Sequence, residues 1–156
     1  MNRTLCLIIV VALFAMTAHA QEIGAVNTEW KLFGSHQLVV DAYDDPKVEG
    51  IACYVSKPKR GGIAGAAGVA EEVSDISITC RQTGPIRIAE PLPQQEDAFT
   101  ERRSILFKTL HVVRMIDIAR NTLVYLTYTD KLIHGSPKNS ITAVPIGHEM
   151  PIPVRK

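Results

Sequence analysis

Two cysteines set in matching sequence patterns most constrain the fold of this chain. Cys53 lies in the segment 49–56 and Cys80 lies in the segment 74–82, and each segment alternates with a period of two residues. Because alternate residues of a strand share one face, each cysteine faces the same way as apolar, β-branched neighbours. These neighbours are Ile51 and Val55 in the first segment and Ile76 and Ile78 in the second. The pattern predicts a buried bridge between two strands.

The first twenty residues have the layout of a secretory signal peptide. Arg3 precedes an apolar stretch at 5–16, and Ala18-His19-Ala20 stands directly before the polar Gln21. The apolar stretch is too short for a membrane-spanning helix, which needs roughly 20 residues. We therefore expect cleavage after Ala20, which leaves one globular domain at 21–156 without a membrane anchor. The alternative is an uncleaved N-terminal anchor.

Export would place the two remaining cysteines in an oxidising compartment, where an even number of cysteines favours a disulfide. The third cysteine, Cys6, lies within the predicted signal peptide. A bridge between Cys53 and Cys80 would stabilise the domain by about 3 to 4 kcal/mol in the chain-entropy treatment. The alternative, a redox-active pair, is less favoured because the spacing is not Cys-x-x-Cys.

The charge balance argues against a nucleic-acid partner. The chain has 17 basic and 16 acidic residues, and removal of Arg3 with the signal peptide leaves 16 of each. Binding to phosphates requires a net basic surface or stripe. A formally neutral domain does not provide one.

Most of the remaining chain shows strand patterns separated by turn signals. We predict strands at 30–33, 36–43, 49–56, 74–82, 104–118, 122–128 and 140–146. The strands at 104–118 and 122–128 are expected to form a hairpin through 119–122. One short helix is expected at 64–72, although Gly65 and Gly68 weaken it. The fold class is therefore mainly β, an antiparallel sandwich or barrel-like sheet with one short helical insertion and one disulfide.

Three other segments are predicted to lack regular structure. Gly84-Pro85 is expected to form a turn, 90–100 an exposed polar loop, and the residues from Met150 onward a loose tail.

A basic, glycine-rich stretch is the first candidate binding site. Lys59 and Arg60 lead directly into Gly61 and Gly62, where exposed backbone N–H groups could hold a phosphate or another anion. The stretch matches neither the P-loop nor the dinucleotide-binding pattern. The favoured interpretation is a flexible connection in which small residues allow backbones to approach closely.

Arg114 is the second candidate, because it shares a strand face with apolar residues. It alternates with Leu110, Val112 and Ile116, whereas His111 falls on the opposite face. Arg114 is therefore either a buried, paired guanidinium or a cation that faces a ligand, and the first alternative is favoured.

No metal, cofactor or catalytic residue is predicted. The acidic cluster formed by Asp41, Asp44, Asp45 and Glu49 lacks the EF-hand spacing, so turn chemistry at 44–46 is the better explanation. The histidines lack the spacing of a zinc site. A small hydrolase that uses His111 or His134 as its base stays an alternative that no motif supports.

The chain resembles the CreA family of small exported proteins of Gram-negative bacteria. The resemblance rests on ordered matches at Glu22-Ile23-Gly24, Asp44-Asp45-Pro46, Cys53-Tyr54-Val55-Ser56, Gly61-Gly62-Ile63, Leu106-Phe107-Lys108, Val112-Val113-Arg114, Leu123-Val124-Tyr125-Leu126 and Gly135-Ser136-Pro137-Lys138-Asn139. It implies a periplasmic location and a link to envelope physiology or signalling, and it supplies no catalytic residues. We therefore expect a periplasmic binding module for an unknown small ligand or an envelope protein, with a small envelope hydrolase as the alternative.

Overall fold

The structure, a computed structural model, describes residues 20–29, 36–60, 76–102, 109–130 and 138–155. Eight strands account for most of these residues. The strands are β1 (Gln21–Glu29), β2 (His36–Asp44), β3 (Val48–Arg60), β4 (Ser77–Ile88), β5 (Gln95–Arg102), β6 (Thr109–Asp117), β7 (Thr122–Thr129) and β8 (Asn139–Pro145). They form two four-stranded sheets, β1-β2-β3-β4 and β5-β6-β7-β8, in which every pairing is antiparallel. The predicted mainly β class is confirmed.

The predicted disulfide joins β3 to β4, the last two strands of the first sheet. Cys53 on β3 is directly opposite Cys80 on β4, their Cα atoms are 4.0 Å apart, and both residues are fully buried. Ile51, Val55, Ile76 and Ile78, which share their faces in the sequence pattern, are also buried, as the period of two predicts. The bridge therefore links the two strands where they contribute to the core.

The core lies between the two sheets and follows the alternation of the strands. On β6 the inward residues are Leu110, Val112, Arg114 and Ile116, all buried, as the sequence pattern predicts. The sheets also meet at β4 and β8, where the N–H groups of Ile78 and Cys80 donate to the hydroxyls of Ser140 (3.4 Å) and Thr142 (3.3 Å). These contacts cover two strand edges that would otherwise be open to other chains.

The predicted hairpin between β6 and β7 is confirmed, and its turn also holds the C-terminal segment. A 3₁₀ turn (Ile118–Arg120) leads into Asn121, which adopts the left-handed conformation with φ of 47°. The Asn121 amide nitrogen donates to the carbonyls of Ile146 (3.2 Å), Gly147 (3.1 Å) and Met150 (3.1 Å), and its oxygen accepts from the N–H of Ile152 (2.8 Å).

The prediction of a loose tail from Met150 onward is therefore wrong. Besides the bonds to Asn121, the N–H of Leu92 donates to the Pro153 carbonyl (2.9 Å) and the N–H of Arg155 donates to the Leu92 carbonyl (2.7 Å). Ile152 is buried against the core. The segment is held by backbone bonds that composition alone does not reveal.

Two further predictions need correction. Gly84-Pro85 is not a turn but lies inside β4, where Gly50 of β3 faces the four residues 83–86. Gly50 has φ of 87°, and a Cβ there would lie 2.5 Å from the Pro85 carbonyl oxygen, so this bulge requires glycine. The predicted loop 90–100 contains the fully buried Leu92 and the beginning of β5.

Several predictions fall outside the described residues. They are the strand at 30–33, the helix at 64–72 and the signal peptide up to residue 19. Conversely, the sequence did not predict β1, whose residues 21–28 are all exposed. Among the described residues, no helix is long and apolar enough to cross a membrane.

Candidate functional site: interior charge clusters and an outer apolar face

Two clusters of charged side chains lie between the sheets. The first, here the Lys57 cluster, consists of Lys57, Asp41, Glu101 and Tyr43. The Lys57 ammonium pairs with the Asp41 carboxylate and lies 2.7 and 2.6 Å from the two carboxylate oxygens of Glu101. The Tyr43 hydroxyl donates to Glu101, and its ring stacks on Phe99 with centroids 4.3 Å apart. The cluster thus joins β2 and β3 of the first sheet to β5 of the second.

The second cluster, here the Arg114 cluster, consists of Arg114, Asp45, Glu96, Tyr125 and Lys47. Arg114 is only 1% exposed, and its guanidinium pairs with the carboxylates of Asp45 and Glu96. The Tyr125 hydroxyl donates to Asp45 (2.7 Å), and the Lys47 ammonium donates to Glu96 (2.7 Å). Arg114 therefore matches the favoured alternative, a buried and paired guanidinium.

The electrostatics of the Arg114 cluster keep Arg114 charged and Tyr125 neutral. Burial alone would lower the pKa of Arg114, but the attraction of Asp45 and the hydrogen bond to it raise that pKa above its ordinary value. Burial raises the pKa of Tyr125, and the neighbouring Asp45 carboxylate raises it further. The guanidinium therefore stays charged and the phenol stays neutral, as expected of a cluster that holds the two sheets together.

The acidic residues that are close together in the sequence form ion pairs with different cations. Asp41 pairs with Lys57, Asp45 with Arg114, and Glu49 with the exposed Arg87. Asp45 also accepts the N–H groups of residues 47 (2.9 Å) and 48 (3.0 Å), which is the turn chemistry predicted for 44–46. Among the described residues, no group of three or more histidine, cysteine or acidic side chains could hold a metal ion.

The structure does not join the predicted glycine-rich site to Arg114. Lys59 is exposed on β3, with its ammonium 3.7 Å from the exposed Glu22, whereas Arg114 faces the interior. The backbone of Arg60 pairs with that of His36. Gly61 and Gly62 lie outside the described residues, as does the Arg60 side chain. Anion binding by this stretch stays a prediction.

His111 lies on the outer side of β6 between two carboxylates. Its Nε2 is 3.1 Å from Asp130 and its Nδ1 is 3.6 Å from Asp97, and the ring stacks on Tyr128 with centroids 4.8 Å apart. Burial raises the pKa of Tyr128, and Asp97 and Asp130 raise it further. None of these His111 contacts is with a serine, which a Ser-His-Asp arrangement requires. His134 lies outside the described residues, so the hydrolase alternative gains no support from the described part of the chain.

The outer side of the second sheet carries an apolar surface. In the strand register, Val113, Leu126 and Ile141 form one row across β6, β7 and β8, and Met115, Val124 and Ala143 form the next. We call these six residues the outer apolar face. Ile141 is 65% exposed, and all but Val113 retain some exposure. The row above consists of His111, Tyr128 and Asn139, and the row below consists of Asp117, Thr122 and Pro145.

The sequence contains a signal for this surface. The segment 110–116 is apolar at Val113 and Met115 as well as at the inward Leu110, Val112 and Ile116. In an antiparallel sheet with one solvated face, the outward positions are usually polar. Apolar residues on both faces of a strand therefore indicate a second contact surface.

Comparison with known proteins gives one consistent match. The profile of the family described as CreA protein matches residues 23–149. The curated relatives named Protein CreA from Escherichia coli K12 and from Escherichia coli O157:H7 are each 50% identical over 134 residues, which covers 83% of this chain and 85% of the relative. No solved structure matches the chain significantly.

Proposed function

The chain belongs to the CreA family, and we propose that it acts in the periplasm as a module that binds a partner protein through the outer apolar face. The observation that supports this proposal is the arrangement of six apolar residues in two rows across β6, β7 and β8 on the outside of the second sheet. Apolar patches larger than a few hundred Å² with a polar rim mark interaction sites, and this face has the polar rim but supplies only the apolar centre of such a patch.

The size of the patch indicates the kind of interface. Three strands about 4.8 Å apart and two rows about 7 Å apart give an apolar centre of roughly 200 Å². A standard stable interface buries about 800 Å² on each partner. The outer apolar face would therefore form the centre of an interface with a polar rim, or of a smaller, transient one.

The charges beside the face indicate the chemistry of the partner. Asp97 and Asp130 flank His111 at one end, and both carboxylates are about half exposed. We therefore propose a partner whose apolar side chains are flanked by Lys or Arg, because opposite charges at a rim favour encounter and orientation. A small ligand is less favoured because the charged groups in the described interior already pair with each other.

The periplasmic part of the proposal rests on the signal-peptide pattern of residues 1–20 and on the disulfide. Structural disulfides persist in oxidising compartments such as the periplasm and are rare in the cytosol. Strand β1 begins at Gln21, so cleavage after Ala20 would leave every described strand intact.

Site-specific photo-crosslinking in living cells tests the proposed function. A benzoylphenylalanine at position 141 should form an adduct with one partner, which mass spectrometry identifies, and Leu126→Lys beside it should abolish that adduct. The control places the same probe at Val26, an apolar residue that is 67% exposed on the first sheet. Adducts that are the same from both positions, or none from position 141, would refute the proposal.

A further inference from the structure

The Lys57 cluster holds an amine against a carboxyl group in the protein interior. In the register of β2 and β3, Asp41 is opposite Val55 and Lys57 is opposite Val39, so Lys57 and Asp41 are diagonal neighbours on the inward face. Their side chains are each 7% exposed, and the ammonium contacts the carboxylate directly. A nucleophile and an acyl carbon are therefore held together in one geometry, away from bulk water.

A second carboxylate lies at the same nitrogen. Glu101 reaches the cluster from the other sheet, with its oxygens 2.7 and 2.6 Å from the Lys57 nitrogen. It also accepts the hydroxyl of Tyr43, which stacks on Phe99. Glu101 is thus positioned to carry protons to and from the amine.

We propose that Lys57 and Asp41 condense into an intramolecular amide, an isopeptide bond, with Glu101 as the acid and base. Glu101 carries a proton from the ammonium to the Asp41 carboxylate, and the freed nitrogen attacks Cγ to form the C–N bond. Glu101 then takes a second proton from nitrogen and delivers it to the departing hydroxyl. The C–O bond breaks, one water molecule leaves, and Glu101 returns to its starting state.

Burial favours this reaction in two ways. Reacting groups that are held in contact behave as if present at roughly 10⁵ M or more. Condensation also replaces two buried charges with a neutral amide, which removes the desolvation penalty of the ion pair. No oxidant, metal or cofactor is required, because the reaction only expels water.

The Arg114 cluster is an internal comparison. It also combines one buried cation, a carboxylate directly after β2, a carboxylate of β5 and a tyrosine. Its cation is a guanidinium, which remains protonated and does not act as a nucleophile. The lysine of that cluster, Lys47, contacts Glu96 but is about one-third exposed, so only the Lys57 cluster holds an amine and a carboxyl group together in the interior.

Mass spectrometry of the denatured, unreduced full-length or processed protein tests the proposal. The measured mass of the wild type should be lower, by one water molecule, than the mass calculated for its disulfide-bonded sequence. Its digest should contain a branched peptide that joins residues 41 and 57. Lys57→Arg and Glu101→Gln should each have the mass calculated from their disulfide-bonded sequences. Asp41→Asn should be lighter than its calculated mass by one ammonia molecule, and its digest should contain the same branched peptide.

Either of two results would overturn the proposal. The first is a wild-type protein of full mass. The second is a water loss that maps to a linear peptide, which would indicate dehydration of a single aspartate instead of a cross-link. If Lys57→Arg fails to fold, the Asp41→Asn variant decides alone, because the loss of ammonia in place of water identifies residue 41 as the acyl group.

Discussion

Replacing Arg114 with methionine should destabilise the domain severely, because the substitution leaves buried carboxylates without their cation. Asp45 is fully buried and Glu96 is about one-fifth exposed, and both pair with the guanidinium. Removal of one partner from a buried ion pair costs about 3 to 5 kcal/mol. For a domain of this size, that corresponds to a fall in Tm of roughly 10 to 20 °C.

The matched control is Arg120→Met, since Arg120 also pairs with an aspartate but is 79% exposed. Its pair with Asp117, 2.8 Å long, should contribute little, because water and salt screen exposed ion pairs. Urea denaturation of both variants, followed by far-UV circular dichroism, gives the comparison. If Arg114→Met and Arg120→Met have the same midpoint urea concentration, the structural role assigned to Arg114 is wrong.

Three further predictions concern stability. Replacing Cys53 and Cys80 together with alanine opens a loop with a sequence separation of 27 and should cost about 3.5 kcal/mol in the chain-entropy treatment, measured by urea denaturation; no loss would contradict a structural bridge. Because the pKa of Tyr125 is raised in the folded state, this phenol ionises above a pH of about 10 only in the unfolded state. The free energy of unfolding should therefore fall by about 1.4 kcal/mol per pH unit above that pH, and Tyr125→Phe should reduce this slope. Asn121→Gly keeps the left-handed turn but loses four side-chain hydrogen bonds, so proteolysis should cleave after residue 147 faster than in the wild type; an unchanged rate would refute the anchoring role.

The parts of the fold that could be predicted are those in which local pattern and packing agree. Residues 77–80 alternate between exposed and buried positions because one face of the strand is packed against the core. Strand β1 does not alternate in this way, since it is exposed on both sides. Strand β5 resembles a polar loop because its Glu96 and Glu101 point inward to cations of other strands.

The candidate sites depend on contacts that local sequence does not encode. Lys57 and Glu101 are 44 residues apart and lie in different sheets, and Asp45 and Arg114 are 69 residues apart. Only Arg114 gave a signal, because a charge among apolar residues on a strand requires a partner. Similarly, Gly84-Pro85 has the composition of a turn, but the same residues serve in a bulge.

The outer apolar face is the central element of the proposed function, and a binding measurement tests it most directly. Once the partner captured from position 141 is purified, its Kd for the wild type, Ile141→Lys and Val26→Lys should be measured by isothermal titration calorimetry. We predict that Ile141→Lys weakens binding at least about tenfold, or about 1.4 kcal/mol, and that Val26→Lys leaves it unchanged. Equal Kd values for the wild type and Ile141→Lys would show that the partner does not bind this face.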